Sequence, residues 1–360
     1  MKLERPERDP AVMKFDSIQI FRAIAANFVV LSHLHGIEGK YGGGYVILPD
    51  WIGAAGPAGV HLFFVISGFV MVFASRGVNW WTFILSRITR IYPPYWAYTS
   101  LIVLILWVLP GHVSNDFHHP ASLFKSYLLL PDKGVPLLTV GWSLIFEMYF
   151  YVVWTFLLVF AVPIRLALVG WTILTSCLVF WRGASSPILE TLSSPLTFEF
   201  IAGAIVALLV TKFSERLRYW IPLVGLSGLV AGFLVYLREP PNDTSLVSVV
   251  VLAAPFSLIL YSGVRLEQKM KAGVSGLKWV TVVGDASYST YLSHVLVLSA
   301  LGRAYVYFPF RGWVAEFLFV VACLVAANMA GLASYFLLEK PVLRKCRQLF
   351  RTPRRLPAAA

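Results

Sequence analysis

The amino-acid sequence predicts an all-α polytopic membrane protein. Of its 360 residues, 58% are hydrophobic and only 13% are charged, and the mean hydropathy is +0.73. A chain this apolar cannot bury its hydrophobic runs in one soluble core. About ten of these runs are long enough to cross a hydrocarbon layer of about 30 Å as helices. Basic residues are concentrated in alternate connecting segments, which is typical of helices that thread back and forth through a membrane.

Each predicted helix is a mainly apolar run between polar or Pro/Gly-containing segments. The first follows a basic leader, residues 1–15, and Arg22 interrupts its apolar run. Because no convincing small-residue cleavage site follows, we expect this helix to be retained and not removed as a signal peptide. The membrane domain is predicted over 16–341, followed by a basic tail, 342–360. The ten helices are predicted at about 16–35, 58–75, 91–109, 142–162, 165–182, 196–211, 219–237, 246–264, 285–303 and 313–338.

The basic residues also predict the orientation of the chain. Placing the amino terminus in the cytoplasm puts most of the 30 basic residues on that side. Ten crossings return the carboxyl terminus to the same side, so both termini are predicted to be cytoplasmic, in a multi-pass protein of the inner (plasma) membrane. The basic tail is expected to lie against anionic lipid headgroups. The opposite face receives Lys40, Lys125, Lys133, Arg182, Arg238, Arg303 and Arg311.

Composition argues against several classes of function. The formal net charge is +12, but the basic residues are scattered between apolar runs and form no stripe with interleaved aromatic residues, so no nucleic-acid partner is predicted. Cys177, Cys323 and Cys346 are far apart, which indicates neither a disulfide framework nor a zinc site. No metal is therefore expected. The sequence leaves the oligomeric state open.

The first predicted helix carries Arg22 and His33 within its apolar run. They lie close to three helical turns apart, so their side chains face the same way, about 16 Å from one another along the axis. Ionisable residues inside a bilayer are costly and usually face a pocket or a water-filled path. The alternative is that Arg22 extends to the headgroups and His33 caps the outer end of the helix.

Further polar groups are predicted in the outer half of the membrane. His33 is joined there by His61, Glu147 and His294, and Trp142 marks the outer interface of the fourth helix. An imidazole can take a proton from a hydroxyl and return it, and a carboxylate can orient that imidazole. The alternatives are structural. His61 would bond a neighbouring helix, His294 would pack in an aromatic cluster, and Glu147 would pair with a partner not identified from the sequence.

On the predicted inner side, the connecting segment 76–92 carries Arg87 and Arg90. The adjacent prolines at 93–94 are expected to break the helix there. Arginines three residues apart occupy neighbouring positions of a helical face, and such a pair can bind phosphates through paired hydrogen bonds. The alternative is simple anchoring by inner-side positive charge, which every predicted cytoplasmic loop provides.

Six short motifs follow one another along the chain. They are Arg22-x10-His33; Phe63-Phe64-Val65-Ile66-Ser67-Gly68-Phe69; Arg87-Ile88-Thr89-Arg90-Ile91-Tyr92-Pro93; Trp142-Ser143-Leu144 leading to Glu147; Gly284-Asp285-Ala286-Ser287-Tyr288-Ser289-Thr290-Tyr291-Leu292-Ser293-His294; and Glu339-Lys340-Pro341. Each motif is weak alone, but in this order and spacing they resemble those of the acyltransferase-3 family of integral-membrane acyltransferases, and most closely its exopolysaccharide-production branch. The resemblance covers nearly the whole chain.

The resemblance implies a ten-helix O-acyltransferase. It would take an acyl group, usually acetyl, from cytoplasmic acyl-CoA and place it on a hydroxyl of a cell-surface or lipid-linked polysaccharide. The expected partners are membrane lipid, acyl-CoA as donor and a glycan as acceptor. The implied catalytic residues are His33, Arg22 and Glu147. The implied donor-binding residues are Arg87, Arg90, Ser67 and Tyr288, while His61, Trp142 and His294 are candidates for acceptor contacts or for supporting the site.

Two questions remain open at the level of sequence. His33 could act as general base for direct attack on the thioester, which we favour, or as a transient acyl carrier. The protein could instead transport polysaccharide or lipid along a path lined by its intramembrane charges, or serve as a non-catalytic scaffold of an exopolysaccharide machine. The acceptor hydroxyl and the choice between acetyl, succinyl and longer acyl groups are not predicted.

Overall fold

The computed structural model describes residues 15–109, 122–181, 186–212, 220–238, 245–270 and 278–349. This part of the chain is a bundle of helices without a strand, in agreement with the predicted fold class. Residues 1–14 of the predicted leader and residues 350–360 of the predicted tail lie outside it. The helices are α1 (Asp16–Tyr41), α2 (Asp50–Ala74), α3 (Trp80–Val108), α4 (Leu123–Leu128), α5 (Gly141–Val159), α6 (Ile164–Trp181), α7 (Pro187–Leu192), α8 (Leu196–Lys212), α9 (Trp220–Arg238), α10 (Leu246–Lys269), α11 (Lys278–Asp285), α12 (Ser287–Tyr305), α13 (Trp313–Ser334) and α14 (Lys340–Leu349).

Eight helical stretches are long and apolar enough to cross a membrane. The predicted count of ten is therefore not reproduced by length and composition within the described ranges. The other two predicted helices correspond to α9, whose apolar part Trp220–Val235 is short, and to α12, in which hydroxyl and histidine side chains interrupt the apolar sequence. The eight stretches are Asp16–Tyr41, Asp50–Ala74, Trp80–Val108, Gly141–Val159, Ile164–Trp181, Pro187–Lys212, Leu246–Lys269 and Trp313–Cys346.

Helix α3 corrects one prediction. It begins well before the predicted limit and continues through the prolines at 93–94, so Arg87 and Arg90 lie on a helix and not in a connecting segment. Prolines remove helical N–H donors, but inside a bundle side chains of neighbouring helices can bond the backbone nearby. Here the Tyr288 hydroxyl donates to the carbonyl of Ile91 at 2.7 Å. Helix α3 thus keeps its helical path through both prolines, with this side-chain bond to its backbone nearby.

Helix α12 runs parallel to α1 along most of its length. Arg22 near the start of α1 bonds Ser287 at the start of α12, and His33 farther along α1 packs on His294. Gly302, near the end of α12, faces the last two turns of α1. Although α12 is not among the eight most apolar stretches, it therefore spans the same depth as α1, which is itself long and apolar enough to cross a membrane.

Helix α9 runs antiparallel to α10. Gly225 of α9 faces Ile259 of α10. Gly232, two turns farther along α9, faces Val251, which lies about two turns before Ile259 in α10. The apolar part of α9, which is shorter than a membrane-crossing stretch, thus lies alongside α10, which is long enough to cross. Three further sets of helices are antiparallel, because each pair is in contact at two or more positions along its length. These are α1 with α2 and α10, α3 with α5, and α12 with α13.

Helices α2 and α8 approach each other through backbone atoms. A Cβ on Gly68 would stand 1.8 Å from the carbonyl oxygen of Phe200, and a Cβ on Gly203 would stand 1.8 Å from that of Val65. Small residues permit this approach between membrane helices, where dispersion contacts and not the hydrophobic effect provide the attraction. The contact fixes the position of α2, which carries part of the site described below.

Candidate active site

Most of the site residues predicted from the sequence converge on one cavity of about 100 Å³. It lies between α1, α2, α3, α5 and α12. Six of the residues predicted from the sequence line it together: Arg22, Ser67, Arg87, Arg90, Glu147 and Tyr288. Apolar and aromatic side chains form the rest of the wall, namely Val60, Phe63, Phe64, Ile66, Val70, Met71, Ile91, Leu144, Tyr151 and Tyr291, with Ser143 beside them.

Arg22 is held by α12. Its Nε donates to the Ser287 hydroxyl at 3.1 Å. The charges that act on its guanidinium are the carboxylates of Glu339, Glu147 and Asp285, together with the like charge of Arg90. Arg22 therefore belongs to a mixed cluster of charges inside the bundle and does not extend alone into lipid.

Arg87 and Arg90 approach the same cavity from α3. The Arg87 guanidinium lies over the ring of Tyr151, 6.0 Å from its centroid, and its Nε donates to the Ser86 hydroxyl at 3.2 Å. Arg90 is balanced by Glu339 and Glu147. Their spacing of three residues places both on the cavity side of α3, as a helical face requires.

Glu147 is on α5, and its carboxylate faces α2. Its Oε1 accepts a hydrogen bond from the Ser67 hydroxyl at 3.2 Å and a short one from the Tyr151 hydroxyl. Tyr151 is one turn further along α5 and is buried. These two bonds fix the direction of the carboxylate, which would otherwise be free to rotate.

Glu339 belongs to the cluster as well, although from the sequence it is named only within the last family motif and has no predicted role in the site. It is buried at the end of a π-helical turn, Tyr335–Glu339, which joins α13 to α14. The Ser289 hydroxyl donates to its Oε2 at 2.7 Å. A carboxylate at the end of an apolar run is the signal in the sequence that could have found it. Short π-helical turns are often found at functional sites.

His33 does not line the cavity. Its side chain is exposed at the surface of the bundle, and its Nδ1 lies 2.9 Å from the carbonyl oxygen of Val29. The ring packs edge to face on His294, with centroids 5.0 Å apart. Because Arg22 also contacts α12, both side chains lie on one face of α1, yet only Arg22 reaches the cavity.

His294 and Tyr291 connect His33 to the cavity. His294 is fully buried, and its Nδ1 lies 3.2 Å from the carbonyl oxygen of Thr290. Its Nε2 has no hydrogen-bond partner within the described part of the chain. The ring of Tyr291, which lines the cavity, lies 5.9 Å from that of His294. The Tyr291 hydroxyl bonds the Ser143 hydroxyl at 2.7 Å.

A family model described as an acyltransferase domain matches residues 15–331. The chain belongs to the acyltransferase-3 family. It is 32% identical over 309 residues to the exopolysaccharide production protein ExoZ of Rhizobium meliloti (strain 1021). The matched region covers 81% of this chain and 91% of that protein. No solved structure matches the chain.

The remaining two candidates of this acyltransferase-3 chain lie away from the cavity. His61 forms a short, buried hydrogen bond with Glu199 of α8, which is the structural alternative considered for it. Trp142 lines a separate opening on the other side of α5. Among the described residues, no group of three or more His, Cys, Asp or Glu side chains is arranged to hold a metal ion.

Proposed function

We propose that this protein transfers an acyl group, most simply acetyl, from acyl-CoA to a hydroxyl of an exopolysaccharide or its lipid-linked precursor. The observation that carries the proposal is the meeting of three arginines from two helices with the Glu147 carboxylate in one cavity of a membrane acyltransferase. Support for the acceptor class comes from the name of the R. meliloti relative, an exopolysaccharide production protein.

The arginine cluster suits the donor. Coenzyme A is polyanionic, and guanidinium groups bind phosphates through paired, charge-assisted hydrogen bonds. Arg22, Arg87 and Arg90 carry three positive charges against the carboxylates of Glu147 and Glu339. Glu339 and Asp285 stand outside the lining, so within the cavity wall the three guanidinium groups face only the Glu147 carboxylate, an excess of two positive charges. We assign Arg87, Arg90, Ser67 and Tyr288 to donor binding, and Arg22 and Glu147 to the end of the donor that carries the acyl group.

His33 is assigned as the general base. A carbonyl oxygen only accepts hydrogen bonds, so the bond to Val29 places the imidazole proton on Nδ1 and leaves the Nε2 lone pair available. The acceptor hydroxyl would attack the thioester carbonyl while its proton passes to Nε2 of His33. The carbon–sulfur bond then breaks, and the coenzyme A thiolate leaves and takes up that proton. The acyl-histidine alternative needs the same lone pair and differs in forming an acyl-enzyme.

His294 is assigned as a partner of His33. The bond to Thr290 fixes its tautomer in the same way, so its Nε2 is also an acceptor. A fully buried acceptor without a partner costs roughly 1–3 kcal/mol. The adjacent imidazolium formed on His33 would be stabilised by such an acceptor. Tyr291 and Ser143 lie between the two imidazoles and the donor cavity, so the acyl group would have to move past them to reach His33.

We further propose ten membrane crossings with both termini in the cytoplasm of an inner (plasma) membrane. If α1, α2, α3, α5, α6, α8, α9, α10, α12 and α13 cross in order, helices of odd and even rank run in opposite directions. Each helix pair whose direction was assigned above obeys this alternation, including the parallel pair α1 and α12, ranked first and ninth. The distribution of basic residues supports the orientation. The domain limits remain 1–15 for the leader, 16–341 for the membrane domain and 342–360 for the tail.

The test compares glycan ester content by proton NMR in cells that carry the intact gene, a deletion, His33→Ala or His35→Ala. His35 is the matched control, because it faces the start of α2 near Asp50 and not α12. We expect esters with the intact gene and His35→Ala, and none with the deletion or His33→Ala. Equal ester content in the glycans of all four strains would refute the proposed acyltransferase activity. Polysaccharide export lost only in the deletion would indicate a transporter or a scaffold.

A further inference from the structure

A second opening lies on the side of α5 opposite the donor cavity. This α5 cleft has a volume of about 420 Å³. Trp142 and Phe146 form one wall, with ring centroids 6.1 Å apart at an angle of 82°. The opposite wall comes from the segment before α5 and from α7 and the turn that follows it. The polar members of the lining are Asp132, Lys133, Glu190, Thr191, Ser193 and Ser194.

We propose that the α5 cleft binds an uncharged pyranose stretch of the acceptor glycan, next to the unit that is acylated. The inference rests on the proposed acyl transfer and adds to it the place where the polymer is recognised. A pyranose ring has apolar C–H faces and a hydroxylated edge. A Trp ring supplies a flat apolar surface, and hydroxyl and carboxylate groups supply hydrogen bonds to the edge.

The charges of the cleft favour an uncharged ligand. The Asp132 carboxylate is paired with the Lys125 ammonium at 2.9 Å and accepts further bonds from backbone amides. Lys133 and Glu190 are both exposed and of opposite sign. The cleft therefore lacks the excess of positive charge seen in the donor cavity, which a phosphorylated ligand would require.

A lipid chain fits the α5 cleft less well than another part of the molecule. A groove of about 320 Å³ between α6 and α8 is lined by Leu168, Val169, Ile173, Ile205 and Leu208, with Arg165 and Thr172 as its polar members. Such a surface suits an acyl chain, with Arg165 placed to meet a headgroup. The α5 cleft instead has polar side chains from three separate segments in its lining.

The position of the cleft relative to His33 decides which sugar unit it holds. The first two turns of α5 separate the cleft from the cavity, because Trp142 and Phe146 face one side while Ser143 and Glu147 face the other. From Ser143 the path to His33 passes through Tyr291 and His294. One sugar ring cannot occupy the cleft and reach His33 at once. The cleft must therefore hold a neighbouring unit of a longer chain.

The experiment uses the full-length protein in nanodiscs, with radiolabelled acetyl-CoA as donor. The acceptor is exopolysaccharide from the producing cells, stripped of its esters with mild alkali and cut into size-fractionated oligosaccharides. Acetyl transfer is measured against acceptor concentration for long and short fragments, and the KM for acetyl-CoA is measured separately. Trp142→Ala is compared with Trp142→Phe, which keeps an aromatic surface. Phe156→Ala, an exposed aromatic position on α5 outside the cleft, is the matched control.

We expect Trp142→Ala to raise the KM for long fragments about twofold to tenfold, the usual range for losing an aromatic contact. The KM for the shortest fragments that are still acylated, the KM for acetyl-CoA and the Phe156→Ala values should be unchanged. Ser193→Trp, which would fill the cleft, should have the same selective effect if Trp142→Ala does not fold.

The outcomes separate the two proposals. Absence of transfer by the unaltered protein to any fragment would refute the proposed function itself. Transfer with an unchanged KM for long fragments in both Trp142→Ala and Ser193→Trp would overturn the inference and leave the enzyme intact. An increase in the KM for acetyl-CoA alone would overturn it as well, because the cleft would then belong to the donor.

Discussion

Replacing His294 with Phe should separate the stability of the protein from its activity. The fully buried Nε2 has no partner within the described residues, and removing an unpartnered buried acceptor relieves about 1–3 kcal/mol. The same change loses the Nδ1 bond to Thr290, worth about 0.5–1.5 kcal/mol. Phe keeps the ring contacts with His33 and Tyr291. The free energy of unfolding should therefore stay the same or rise by up to about 2 kcal/mol.

Activity should change in the opposite direction. If His294 stabilises the imidazolium of His33, then kcat should fall about tenfold to a hundredfold, the usual cost of losing a group that supports a functional imidazole. The KM for acetyl-CoA should not change, because His294 does not line the donor cavity. His294→Gln and His294→Asn form a matched pair. Gln places an amide near the former Nε2 and should retain more activity than Asn, which reaches only the position of Nδ1.

The assay is radiolabelled acetyl transfer in nanodiscs, with the thermal midpoint measured on the same preparations. The reasoning would be refuted if His294→Phe kept kcat within twofold of the unaltered protein. It would also be refuted if the midpoint fell by several degrees and the loss of activity matched the loss of folded protein. In that case His294 would be a packing residue of the aromatic cluster, the structural alternative raised by the sequence.

Four further predictions follow from the bundle. Arg90→Lys should raise the Kd for coenzyme A about tenfold in calorimetry, since lysine lacks the paired donors of arginine; an unchanged Kd would place the phosphates elsewhere. Glu339→Gln should destabilise the bundle by about 1–3 kcal/mol, seen as a lower thermal midpoint, because it weakens the bond from Ser289 and removes negative charge near Arg90. Gly203→Ala should destabilise the protein by about 1–3 kcal/mol, because its Cβ would meet the backbone of α2. Gly170→Ala, which has open space around it, should stabilise the protein by up to about 1 kcal/mol. Equal effects of the two variants on the thermal midpoint would contradict the contact between α2 and α8. A hydrogen bond from the Lys125 ammonium lowers the pKa of Asp132 below its ordinary value of 3.8, so its contribution is present at neutral pH and is lost only below about pH 3.8. Asp132→Asn should therefore loosen the segment before α5 at neutral pH, as measured by limited proteolysis, and the difference from the unaltered protein should shrink at low pH.

Helical periodicity predicted the parts of the site that lie on a single helix. The spacing of Arg22 and His33 placed them on one face of α1, and both meet α12. Arg87 and Arg90 were predicted to lie on one helical face and do so on α3. Contacts between helices could not be read in the same way. Nothing in the sequence places His294 beside His33, because that contact depends on how two distant segments pack.

The double proline shows a second limit of the sequence reasoning. A proline costs a helix one N–H donor and introduces a clash, so a break at 93–94 was a reasonable expectation. In a membrane bundle the alternative, an irregular segment, would expose still more unpaired backbone groups. Helix α3 continues through both prolines. Local propensity does not include the cost of that alternative, which is why it predicts a break.

Helix α12 is less apolar than the eight crossing stretches for the same reason that it matters to the site. Its hydroxyl and imidazole groups lower its apolar character, and in a bilayer each would be costly if it faced lipid. Instead these groups point at other helices and contact a guanidinium, a backbone carbonyl, a carboxylate, a hydroxyl and a second imidazole. A membrane helix can afford this polarity only where its neighbours supply partners, so the least apolar crossing helix should be sought at the centre of such an enzyme. The five pairs are Ser287 with Arg22, Tyr288 with Ile91, Ser289 with Glu339, Tyr291 with Ser143, and His294 with His33.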